Sequence, residues 1–235
     1  MDIRQIRADL IRWILDIDDV GLLGELEGIM ARDLREPKET SKNALILKIT
    51  LEGISKPPVW RQILIRENAS FEMLHYAIQV SFGLYNAHLW EFAPKPFSTP
   101  KIGPELEDLY LGIEPGDTHI ASQTPLSSYF KRPKDQFYYV YDMGDSWTHK
   151  IVLKKIEDEE TSFPTCVAGK GACPPEDCGG IPGYYMLVEA LNNPKHPDHG
   201  HMMEWMEMEP GESWNVDAFD LIGTQAEIKE IFSDL

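Results

Sequence analysis

The residues of this chain best suited to chemistry lie between Tyr138 and Gly183. Its three cysteines, Cys166, Cys173 and Cys178, are separated by six and then four residues in a run dense with Gly and Pro. Those gaps are wider overall than the two to four residues of common zinc knuckles. Upstream, Trp147, His149, Ile151 and Leu153 share one face of a strand by simple alternation. If the cysteine loop folds back over that face, His149 completes a tetrahedron of three thiolates and one imidazole. Zinc suits that donor set, and an ion would order a segment this rich in Gly and Pro. The plainer alternative makes Cys166 and Cys173 small buried hydrophobes and His149 a satisfied core histidine.

A second constellation is acidic. Asp142, Asp145, Glu176 and Asp177 precede His196, His199 and His201. Carboxylates and imidazoles converging in a cleft could bind a divalent metal and activate water for hydrolysis. Each residue also has a local use. Asp142 and Asp145 favour turn backbone through their short side chains. Glu176 and Asp177, after two prolines, could cap backbone or pair with Arg61, and His196 and His199 stand where a helix starts. The aromatics Tyr138, Tyr139, Tyr141 and Trp147 suggest either a base-stacking platform or a packed hairpin. Met202, Met203, Trp205, Met206 and Met208 suggest a Met-rich helix that packs in the core or docks a partner.

These residues need a scaffold, and periodicity supplies one. Residues 2 to about 34 read as two short helices with apolar stripes Ile3, Ile6, Leu10, Ile14, Ile17 and Leu22, Leu23, Leu26, Ile29, Met30. Too short to bury those faces alone, they must dock on the body, on a partner, or on another copy as an oligomer. A polar linker over 36–42 separates this appendage, 1–40, from a body over 43–235. In the body, 45–51, 59–65 and 88–92 read as strands and 71–82 as a helix capped by Ser70. On that helix His75 and Gln79 form a polar pair at the core edge. Residues 94–118 read as a long loop and 124–130 as a short helix or turn. Strands 136–142 and 146–155 form a hairpin, with helices over about 183–192, after Pro197, and over about 224–234. The fold class is α+β, an antiparallel sheet with β-hairpins flanked by helices, plus the N-terminal helix pair.

Composition narrows the function classes. With 22 basic and 39 acidic residues the net charge is -17, which works against nucleic-acid binding through phosphate neutralisation. No run approaches the roughly 18 apolar residues of a membrane span, and the N-terminus lacks a signal-peptide core. Three cysteines do not make a disulfide framework. A cytoplasmic protein is expected.

Several motifs, in order, resemble the plasmid pRiA4b ORF-3-like family. They are Pro58-Val-Trp60-Arg61, Leu74-His75 to Gln79 with Phe82-Gly83, His88-Leu89, and Tyr141-Asp142-Met-Gly144-Asp145-Ser-Trp147-Thr-His149. Ala172-Cys173-Pro-Pro175-Glu176-Asp177-Cys178-Gly179-Gly180, His196-Pro-Asp-His199 before Glu204-Trp205, and Phe219-Asp220 follow. The resemblance covers about 43–222; Leu84 replaces a usual Trp and Thr148 a usual acidic residue. It implies association with plasmids and mobile elements, and for some members a label borrowed from a transposon resolvase. This sequence has neither an Arg-rich serine context nor a basic tail to match that label. The leading expectation is a non-enzymatic module that binds a protein or small-molecule partner, ordered by zinc if the cysteine set forms. The alternatives are a metal-dependent hydrolase using Asp142, Asp145, His149 and Glu176, or an accessory to nucleic-acid processing on mobile elements.

Overall fold

A computed structural model of the protein describes residues 43–104 and 118–233. The expected N-terminal helix pair lies outside the described residues. The body is α+β: eight strands form one sheet, flanked by helices, in the order β5-β4-β3-β6-β7-β1-β2-β8.

Alternating side chains build the centre of the sheet. Strand β1 (Ala44–Ser55) buries Leu45, Leu47, Ile49 and Leu51, and β7 (Trp147–Glu157) pairs with it antiparallel while burying Trp147, His149, Ile151 and Leu153. Strand β2 (Pro58–Arg66) pairs with β1 and turns Val59, Arg61, Ile63 and Ile65 inward. An arginine therefore occupies an apolar register position. Strand β6 (Gln136–Tyr141) closes the expected hairpin with β7 and pairs on its other side with β3 (Trp90–Ala93). Helix α1 (Phe71–Phe82) starts where Ser70 Oγ accepts the Met73 N–H at 3.1 Å and stops at Gly83, whose φ of 74° a side chain would resist. Phe71 seats the helix in an aromatic cluster with Phe92, Tyr129, Phe130 and Phe137.

Three sequence expectations change. The expected loop over 94–118 holds one short strand, β4 (Lys101–Gly103), and leads into another, β5 (Thr118–Ile120); the two pair parallel with each other and make the sheet mixed, though mostly antiparallel. Three residues each are too few to leave a periodic signal. The cysteines do not share one loop: Cys166 lies on β8 (Thr165–Lys170), opposite Ile63 of β2 and fully buried. Two of the C-terminal helices start earlier than periodicity suggests, at Gly180 and Leu221, while the middle one starts after Pro197 as expected. The three are α2 (Gly180–Asn192), α3 (His199–Trp205) and α4 (Leu221–Phe232), the last capped by Asp220 accepting the Gly223 N–H at 3.0 Å.

On edge strand β8, Gly169 stands opposite Arg61. A Cβ there would run into the Phe219 ring and lie 2.9 Å from Arg61 Cδ. Gly169→Ala is expected to lower the unfolding free energy by about 2 kcal/mol, because the added methyl would have to push the Phe219 ring off the Arg61 guanidinium. Urea titration checks this; an unchanged midpoint would show that the edge strand yields.

Candidate functional site

Three segments distant in sequence meet at one end of the sheet. The first leads from α1 into β3 and carries His88. The second is the tip of the β6–β7 hairpin, where Asp142 adopts φ 57° and its Oδ1 accepts the Gly144 N–H at 2.8 Å and the Asp145 N–H at 3.3 Å. That use of Asp142 is the turn role its short side chain suggests. The third is the loop before α2, with Glu176 and with Asp177 at φ 58°. Backbone ties the segments together: the Asp142 N–H donates to Leu89 O at 2.9 Å, and the Gly179 N–H to Asp145 Oδ2 at 3.1 Å. Gly180 approaches so closely that a Cβ would lie 2.9 Å from Asp145 O. Asp145 is thus a clamp between two loops.

At this junction three carboxylates face one imidazole nitrogen. His88 Nε2 lies 3.3 Å from Asp177 Oδ1, 3.6 Å from Glu176 Oε2 and 3.8 Å from Asp142 Oδ2. It is buried and makes no hydrogen bond. Ligand atoms of His88, Asp142 and Asp177 all lie within 4.8 Å of one another, the one such group of three or more potential ligands among the described residues. No Lys or Arg pairs with these carboxylates among the described residues. Glu176 stands just outside the trio and is held firmly. Its Oε1 accepts the Tyr141 hydroxyl at 2.9 Å and the Tyr85 N–H at 2.6 Å, and its side chain is only 6% exposed. Burial, then the bond to Glu176, keep the Tyr141 phenol protonated well above its ordinary range. Asp177, at 71%, faces solvent.

The other candidates take different places. His149 is buried on β7, its Nδ1–H donating to Trp147 O at 3.1 Å and its Nε2 unpartnered. Burial lowers its pKa to about 4. Burial also pushes the Cys166 thiol up, and the Cys173 and Cys178 thiols to about 12. Cys166 Sγ and Cys178 Sγ lie 3.5 and 4.0 Å from the carbonyls of Ala168 and Gly180. The cysteines and His149 are not in the clustered group. Arg61 does not pair with Glu176 or Asp177 but binds backbone carbonyls. His199 Nδ1–H donates to Ala190 O at 2.8 Å, closing the end of α2, and His196 Nδ1 accepts the Asp198 N–H at 3.1 Å.

Beside the junction, His75 and Gln79 form a closed polar ring. Gln79 Nε2 donates to Tyr139 Oη at 2.8 Å, and that hydroxyl lies 2.8 Å from His75 Nδ1. His75 Nε2 is 2.9 Å from Asn86 Oδ1, and the Asn86 N–H returns to Gln79 Oε1 at 2.8 Å. Because Asn86 Oδ1 can only accept, Nε2 carries the proton and Nδ1 accepts from Tyr139. The ring, with His75 stacked on Trp90 at 3.9 Å, fixes the turn that delivers His88.

The sequence model of the family described as plasmid pRiA4b ORF-3-like protein matches residues 43–222. The chain belongs to this family. His88, Asp142, Glu176 and Asp177 all fall inside the matched span. An uncharacterized protein of Sinorhizobium fredii, y4hQ, is 34% identical over 160 residues, covering 68% of this chain and 78% of that protein. The crystal structure of MM3350 from Methanosarcina mazei Go1, a protein of unknown function, is similar with a TM-score of 0.62 at 32% identity. It covers 76% of this chain and 96% of that one.

Sequence reasoning reached three of the four converging residues and missed His88. It appears in the motif His88-Leu89, but nothing local marks it as a ligand. Its partners lie on the hairpin tip and the Pro-rich loop; the β3–β6 pairing brings the first beside it, and the Gly179 N–H bond to Asp145 ties in the second.

Proposed function

We propose that this protein is a binding module that works through a divalent cation held by His88, Asp142 and Asp177, with Glu176 beside the ion. The observation that carries the reading is the convergence of three carboxylates on His88 Nε2 at 3.3–3.8 Å without a basic partner among the described residues. A tetrahedron with bonds of about 2.0–2.2 Å has ligand-to-ligand edges of about 3.3–3.6 Å, so small side-chain rotations would suffice to close on an ion. One imidazole with carboxylates suits zinc and neighbouring first-row ions better than magnesium, which keeps its waters. Asp142 and Asp177 both adopt left-handed backbone, a conformation retained at sites that must aim a side chain. Because Asp177 is exposed, the ion would keep a position open for a ligand.

Glu176 favours a second reading, metal-assisted hydrolysis. A buried carboxylate oriented by Tyr141 and Tyr85 is where a base would take the proton of a metal-bound water. Glu176→Gln separates the two: as a base its loss would abolish zinc-dependent ester hydrolysis while zinc uptake persists.

The deciding experiment is zinc titration by calorimetry, with metal content measured after dialysis. About one ion per chain is expected, weakened about 30-fold in His88→Ala and in Asp142→Asn, with circular dichroism unchanged. Cys173→Ala should bind normally. If uptake followed Cys173 and ignored His88, the ion would belong to the cysteine–His149 set and this reading would fail.

A further inference from the structure

A cavity of about 340 Å³ opens between α2 and α3, and its apolar wall includes Met186, Leu187, Met202 and Trp205. Its polar lining includes His201 and Asp177, and Asp177 is also a member of the His88–Asp142–Asp177 group. The one carboxylate therefore serves two compartments, an apolar pocket and a cluster of metal-binding donors. Met186 and Trp205 are 65% and 43% exposed, so large apolar side chains stand unburied around the opening. Thioethers adapt to the shape of what enters, and the Trp ring gives a flat wall.

We propose that this cavity is the specificity pocket of the ion site. It takes the aliphatic chain or single ring of a small organic acid whose chelating anionic head group binds the ion. The proposal rests on the metal reading above and names its ligand class. Size sets the first limit: about 340 Å³ lies at the lower end of small-molecule sites, which run from about 300 to 1,000 Å³. Charge sets the second. A protein of net charge -17, with the Asp177 carboxylate in the cavity wall, repels an organic anion until a cation occupies the cluster. Burial of apolar surface supplies the remaining affinity, so head group and tail must both be present.

The test compares acetohydroxamate with octanohydroxamate by calorimetry on full-length protein whose zinc content has been verified. Octanohydroxamate should bind at least about tenfold tighter, since several methylenes enter the cavity. That preference should vanish in Met186→Glu and in Trp205→Ala, both on exposed side chains whose replacement leaves the fold intact. Zinc-free protein should bind neither compound. Equal affinities on the zinc-loaded protein would overturn the pocket and leave the ion site standing, as would a chain-length preference that survives both variants. A protein that takes up no zinc would overturn both readings.

Discussion

Arg61→Ala is expected to cost about 4 kcal/mol of unfolding free energy, although Arg61 touches none of the proposed ion ligands. Arg61 is 3% exposed on the inner face of β2. Its Nε donates to Ser81 O at 2.7 Å, Nη1 to Trp60 O at 2.9 Å and Lys170 O at 3.0 Å, and Nη2 to Gly171 O at 3.1 Å. The guanidinium lies between Phe82 and Phe219, at 4.9 and 3.9 Å from the ring centroids. No carboxylate pairs with it among the described residues, and burial keeps the neighbouring Cys166 and Cys173 thiols protonated. Burying that charge costs several kcal/mol, and alanine recovers this. Against it stand four charge-assisted hydrogen bonds at about 1.5–3 kcal/mol each, two desolvated cation–π contacts, and a cavity between two rings. The losses win. Arg61→Lys should recover little, because an ammonium cannot span carbonyls on β2, α1 and β8 with a planar fork. Urea titrations of both variants measure this, and a loss below about 1 kcal/mol for alanine would show the carbonyls finding other partners.

The same residue marks the limit of what the sequence could reveal. Alternation placed the apolar residues of β1, β2 and β7 correctly, and Ser70 and Gly83 marked the ends of α1, because these signals are local. Trp147, His149, Ile151 and Leu153 share a buried face, as alternation expects. Alternation also puts Arg61 inward, but sequence suggested a carboxylate partner for it. Its actual partners are carbonyls, which every residue carries and no residue type announces. The same reason hides His88: three of its neighbours were visible as an acidic group, yet the imidazole they face comes from a turn more than 50 positions from the nearest of them. The cysteines misled in the opposite direction. Crowding in sequence suggested one loop, but a chain reversal placed Cys166 in a paired strand before the Pro-rich segment begins.

Acid should weaken the fold before the carboxylates are protonated, and two buried histidines explain why. Burial lowers the pKa of His149 to about 4, and burial, partly opposed by the bond to Asn86, lowers that of His75 to about 4. In the unfolded chain each returns to the ordinary 6.5. Above pH 6.5 both states are neutral and neither histidine changes stability. Below it the unfolded chain takes up protons that the folded protein refuses, so stability falls as the pH drops towards 4 and then levels off. At pH 5 each histidine costs about 2 kcal/mol, hence about 4 kcal/mol for the pair. Urea titrations at pH 7.5 and pH 5.0 should show that difference. His149→Phe keeps a ring against Phe82, which His149 meets edge-on at 4.8 Å, and removes one titrating group. Because His149 Nε2 has no partner to lose, the variant sacrifices only the bond to Trp147 O. Its loss between the two pH values should be smaller by about 2 kcal/mol. A variant with the full pH dependence of the parent would show that His149 is not the source of the acid sensitivity.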